Sequence, residues 1–335
     1  MFTGMPEHPA IQAAGLLLAG ALGLLLAGLI ASRQARPLKS GGVGTIALLW
    51  WLPAAIAAIT SAFLGCSGLA LGVVFGTSAA VMSVVAGCAM MAGEPGQLPP
   101  HAQRVWAFLP APALLTLLLG FRGMLGLFEA ALLAAQGVLS WLVWTSAPLD
   151  MPHSPDSTSP GRARPGGRWR WWWIAAAAVL TVEAAWLAAR GAESLADADP
   201  RYSPAAAGAV ILALVLTAPL ISAAVPAAAA GGAAPVMAAG AGFMLLNLGA
   251  LLPCVICIGV VRGAAVRIAA ATRPVWMELP FPCVLWRIGA PALVVLAMLF
   301  AVAAAGRIRL NRHLGMWLVV GYCLYLVTVL SLGAQ

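Results

Sequence analysis

Residues 53–78 read PAAIAAITSAFLGCSGLALGVVFGTS. They carry no charge, one proline at the start and four glycines, at 65, 68, 72 and 76. A run this long and this apolar is long enough for a membrane crossing, since about 20 apolar residues cover a hydrocarbon core of about 30 Å. The surrounding chain agrees. Of its 335 residues 62% are hydrophobic and 8% charged, where a soluble domain carries about a quarter charged residues.

Working outward, ten apolar stretches are long enough to span: roughly 10–31, 45–65, 69–92, 105–121, 124–147, 171–190, 205–230, 234–261, 283–306 and 314–333. Backbone in lipid must satisfy its hydrogen bonds internally, so each is expected to be a helix or a strand of a closed barrel. Runs such as IQAAGLLLAGALGLLLAGLIA do not alternate as barrel strands do. The expected fold is all-α and polytopic. The first stretch lacks a basic n-region and reads as a mature helix rather than a signal peptide.

The net charge of +8 does not point to nucleic acid, because the basic residues sit in short loops between spans, where they set orientation. With the N-terminus outside, Arg33, Arg36, Lys39, Arg104, Arg162, Arg164, Arg168, Arg170, Arg307, Arg309 and Arg312 are cytoplasmic. Arg122, Arg190, Arg201, Arg262, Arg267, Arg273 and Arg287 lie opposite. This bias predicts both termini outside a plasma membrane, of the bacterial inner-membrane kind. The Pro-, Ser- and Gly-rich stretch 148–170 reads as a cytoplasmic linker ending on a Trp–Arg anchor. It divides the chain into a first five-helix repeat, 1–147, and a second, 171–335. An odd number of spans per half predicts that the halves are inverted.

Sliding the chain by 166 residues places Pro53 on Pro219, Gly65 on Gly231, Gly76 on Gly242 and Cys88 on Cys254. The second copy is PLISAAVPAAAAGGAAPVMAAGAGFMLLN, residues 219–247. Small residues and a kinking proline also serve plain helix packing. Broken backbone within a membrane, however, survives only where it is buried or lines a cavity, so paired breaks point to a midplane site. Pro53, Gly65, Gly76, Pro219, Gly231 and Gly242 are therefore the expected helix-break residues.

The two copies resemble the α-repeats of the sodium/calcium exchanger superfamily of cation antiporters: P-E, a glycine hinge, then G-x-x-G-[ST]-N and a further Asn or Asp. Gly68, the LALG of 69–72 and the GTS of 76–78 fit in the first copy, and Pro219, Gly231, Gly242 and Asn247 in the second. The resemblance implies ten spans, a cytoplasmic linker and secondary transport by alternating access. It also implies that cation ligands stand at the positions here held by Ala54, Val81, Leu220 and Asn247, of which only the last has a side-chain oxygen. Calcium takes six to eight oxygens, several of them carboxylates. The expected cargo is therefore a monovalent cation, a proton-coupled solute or an altered substrate. Thr77, Ser78, Ser222 and Asn247 are the candidate ion-binding residues, and Thr60, Ser61 and Thr217 could add neutral oxygens. The alternative is a degenerate, non-transporting scaffold or partner subunit.

Two carboxylates fall within spans, and such residues are functional candidates by default. Glu183 lies near the middle of the sixth span, with Arg190 two turns later on the same face; the resemblance makes that span a gating helix, and Glu183 a candidate coupling group. Glu129 lies nearer an interface. The C-x-x-C of Cys254 and Cys257 sits in an apolar span, where cysteine behaves as a small hydrophobe. His8, His101, His153 and His313 show no ligand spacing. No enzyme constellation, cofactor or metal centre is expected.

Overall fold

The computed structural model describes residues 9–34, 42–93, 100–145, 169–198, 203–269 and 278–333. The linker 148–168, His8, His153, Arg201 and Arg273 lie outside them. The ten apolar stretches all fall on helices, as backbone confined to lipid requires. In chain order these are α1 (Pro9–Gln34), α2 (Gly42–Leu64), α3 (Ser67–Ala80), α4 (Ala86–Ala92), α5 (Pro100–Phe108), α6 (Pro110–Gly120) and α7 (Leu127–Thr145). The second half contributes α8 (Trp169–Ala198), α9 (Pro204–Ala207), α10 (Ala213–Gly231), α11 (Ala234–Leu246), α12 (Leu252–Ala269), α13 (Ala290–Ala304) and α14 (Arg312–Gly333).

Several spans are joined or interrupted in ways that periodicity does not show. The stretch 105–121 is two helices, α5 and α6, parted at Leu109 because Pro110 has no N–H to continue the ladder. Helices α3 and α4 form one column through a π-helical turn at Val81–Val85, and α11 and α12 another through a π-helical turn at Asn247–Leu251. These two turns lie 166 residues apart, the same offset at which the sequence repeats. Further π turns lie at Gly208–Leu212, joining α9 to α10, and at Leu285–Gly289, before α13. One exception to helix is a two-residue antiparallel ladder, β1 (Met124–Leu125) on β2 (Leu279–Pro280), with Leu125 opposite Leu279.

Small residues decide how the columns pack. In lipid there is no hydrophobic drive between helices, so close backbone approach and dispersion hold them together. Helices α1 and α8 run along each other on such a seam: a Cβ at Gly20 would stand 2.7 Å from the Ala184 carbonyl oxygen, and one at Gly191 2.7 Å from the Leu17 amide nitrogen. At the centre, α2, α3, α10 and α11 with their π turns pack against one another. The α3–α4 column is the most enclosed, 94% buried against 22–61% for the other spans. It is the axis of the fold.

The expected helix breaks need correcting here. Gly76 and Gly242 lie inside continuous helices. They are glycine for proximity: a Cβ on Gly76 would overlap the Ala209 backbone, and one on Gly242 the Trp144 ring. Pro53 and Pro219 are likewise inside α2 and α10, which run through them; each removes one N–H from its ladder without ending the helix. The real interruptions are at Gly65, where φ is +96°, and at Gly232, where φ is +85°. Gly231 is the last residue of α10, so the turn that needs left-handed backbone falls one position later than the repeat suggested.

Candidate functional site

Asn247 opens the second π turn and is wholly buried. Its Nδ2 donates to Thr77 Oγ1 at 3.0 Å and to Ser78 Oγ at 3.0 Å, with the Val74 carbonyl oxygen at 3.4 Å. Both hydroxyls are buried and donate to their own helix, Thr77 to the Val73 carbonyl at 2.6 Å and Ser78 to the Val74 carbonyl at 2.7 Å. With those protons placed, the hydroxyl oxygens can only accept, which fixes the amide with its nitrogen toward them. Asn247 Oδ1 is left buried without a hydrogen-bond partner. Such a group costs about 1–3 kcal/mol, more where no water reaches it.

The repeat thus brings together Thr77, Ser78 and Asn247. The π turn matters to them, because an i→i+5 turn shifts the carbonyl register and such bulges cluster at functional sites. Ala54, Val81 and Leu220 are buried in the same helix bundle and offer no polar side-chain atom. Helices α2, α3, α10 and α11 and the turns 81–85 and 247–251 contain no Asp, Glu, Lys or Arg. Among the described residues no group of three or more His, Cys, Asp or Glu could hold a metal ion. A divalent ion here would meet no countercharge, and a bare charge in a low dielectric is very costly.

Other candidates are placed elsewhere. Ser222 is exposed and donates to the Pro219 carbonyl at 2.7 Å. Ser61 and Thr217 are buried but donate to the Ala57 and Ala213 carbonyls, each at 2.8 Å, the usual retreat of a hydroxyl in an apolar helix. Thr60 is half-buried. Glu183 is exposed on α8, and Arg190, two turns on, does not bridge to it. Arg190 instead bridges to Glu193 Oε2 at 3.4 Å, three residues on, and lies over the Trp186 ring; an i,i+3 partner is nearer than one two turns away. Glu129, in the first turn of α7, accepts the Gly126 N–H at 2.9 Å and so caps its own helix.

Sequence reading passed over Glu193. Its Oε1 accepts the Cys66 thiol at 3.1 Å, tying α8 to the break between α2 and α3. Burial, then the hydrogen bond and charge of Glu193, push the Cys66 thiol up to about 12. The signal was available in the i,i+3 spacing from Arg190, but nothing in sequence placed Cys66 beside it. Cys254 and Cys257 are free thiols on α12, the first exposed.

Residues 169–331 match the family model for the sodium/calcium exchanger protein. No curated protein matches the chain in sequence. Among solved structures the chain is similar to the H+/Ca2+ exchanger CAX, with TM-score 0.65 and 14% identity over 96% of this chain and 85% of that one. It is similar to the sodium-calcium exchanger NCX_Mj, with TM-score 0.63 and 14% identity over 94% and 97% of the two chains. To YfkE the TM-score is 0.63, with 13% identity over 96% and 92%. At such identities the structural likeness is one of fold, and it extends over nearly the whole chain where the family model covers the second half. The chain is an integral membrane protein with the fold of these exchangers, and its residues 169–331 are similar to the sodium/calcium exchanger family.

Proposed function

We propose that the protein is a secondary active transporter whose central site, Asn247 with Thr77 and Ser78, binds a monovalent cation and not calcium. The carrying observation is the buried, unpartnered Oδ1 of Asn247. An orphaned acceptor at the start of a π turn, packed against the most enclosed column, supports a state in which a cation supplies what the protein does not. Neutral oxygens from Asn247, two hydroxyls and the carbonyls of the π turns suit a single positive charge, as unwound backbone does in other transporters. No side chain of this centre titrates, so a proton-coupled cycle would need a carboxylate outside it. The inverted arrangement of the halves 1–147 and 171–335, and both termini outside, belong to the same proposal.

A second reading, a scaffold that has lost transport, draws on the hydroxyls of Thr77 and Ser78, which spend their protons on their own helix. Flux in proteoliposomes separates the two. The transporter reading predicts sodium- or potassium-dependent flux that Asn247→Leu abolishes and that external calcium does not drive. Absence of flux for any cation supports the scaffold, and robust calcium flux removes the monovalent assignment.

A further inference from the structure

The geometry points to a binding groove for an anionic phospholipid between the end of α2 and the outer face of α12, with Arg262 as its headgroup residue. The groove has a volume of about 590 Å³ and is lined by Phe63, Cys257, Ile258, Val261, Arg262 and Ala265. It lies where two spans end, Ile46–Leu64 and Ala234–Val266, which places it at the edge of the hydrocarbon layer. Phe63 is 64% and Val261 62% exposed, so its apolar wall faces lipid, and an acyl chain is the matter available to fill it.

Arg262 gives the groove a polar end. Its guanidinium rests on Gly65, where a Cβ would stand 2.5 Å from Nη1, so the absent side chain at that position makes room for it. Nη1 donates to the Phe63 carbonyl and thereby caps the C-terminal end of α2. That contact uses one of five N–H donors and does not neutralise the charge. Among the described residues no carboxylate lies within 4.0 Å of Arg262; of the two acids near this corner, Glu193 and Asp197, Glu193 is engaged by Arg190 and Cys66. A cation without a counter-ion at the membrane edge, above an apolar trough, matches a phosphate with its acyl chain, which guanidinium binds in a bidentate fork.

The test is native mass spectrometry of the intact protein released from nanodiscs of phosphatidylcholine mixed with phosphatidylglycerol, for wild type, Arg262→Gln and Ala265→Trp. The second variant fills the trough while leaving the Arg262 cap of α2 in place, so it guards against a fold defect in the first. Expected are several-fold preferential retention of phosphatidylglycerol by wild type, parity between the lipids in both variants, and no displacement by inorganic phosphate. Equal retention of the two lipids by wild type, or a preference that survives in both variants, overturns the proposal. Displacement by inorganic phosphate overturns the assignment to a lipid.

Discussion

The two π turns at the centre share an offset of 166 residues and differ in chemistry. The first, Val81–Val85, opens on valine; the second, Asn247–Leu251, opens on asparagine, and both residues are wholly buried. Two positions further on, the first has Ser83, whose hydroxyl donates to the Ala79 carbonyl, and the second has Gly249, packed on the backbone of Gly137. The backbone device is thus duplicated while its polar equipment is concentrated across one contact, with Asn247 of the second half facing Thr77 and Ser78 of the first. One shared polar contact at the meeting of two like backbones is a different design from two equivalent ligand sets.

The largest expected effect comes from making the second turn like the first. Gly249→Ser places a side chain against the Gly137 backbone, which cannot retreat; a cost of about 1–3 kcal/mol or more follows from overpacking, read as a lower melting temperature or lost folded yield. The reverse change, Ser83→Gly, should cost no more than about 1 kcal/mol, the helix penalty of glycine. Equal losses would show that the two turns are packed alike.

Next is exchange of the opening residues. Asn247→Val strips Thr77 and Ser78 of their donor and removes the orphan oxygen with it, so stability should change by less than about 1–3 kcal/mol while any cation response disappears. Val81→Asn adds a second buried amide. It should lower stability without cations and enlarge the stabilisation by sodium or potassium; a variant that loses stability and gains no response would show that the first turn does not face the site.

How much of this was legible follows from where the physics resides. That the chain is a helical membrane protein with an exchanger-like fold could be read from apolar length and from the Pro and Gly pattern, because lipid leaves the backbone few choices. The roles of those glycines could not. Gly76 and Gly242 are glycine because another helix passes close by, information held by Ala209 and Trp144 far off in sequence. The meeting of Asn247 with Thr77 and Ser78 was suggested by the family pattern, whereas its unsatisfied oxygen emerges only from a count of donors in three dimensions. Glu183 drew notice as a charge within a span, yet Glu193 proved the better-connected acid.

A smaller effect concerns the break that precedes each turn, which has a thiol only in the first half. The Cys66 thiol is normal near 9.0 and raised to about 12 in the folded protein. The folded state therefore retains a proton that the unfolded chain gives up, so stability should fall as pH climbs from about 9 toward about 12. Cys66→Ala should flatten that decline, measured by thermal unfolding across the alkaline range. Smallest of all is Glu183→Gln: with the side chain exposed on α8, cation-dependent stability should match wild type, and a lost response would return Glu183 to the ion path.

The central claim, that the uncharged centre around Asn247 holds a monovalent cation, is tested most directly by thermal unfolding of wild type and Asn247→Ala in sodium, potassium and calcium titrations at constant ionic strength. A ligand that binds only the folded state must raise its melting temperature. The account predicts saturable stabilisation of wild type by sodium or potassium, none in Asn247→Ala, and no more from calcium than from magnesium. Stabilisation by calcium at lower concentration than by either monovalent ion, or a monovalent effect that persists in Asn247→Ala, would contradict it.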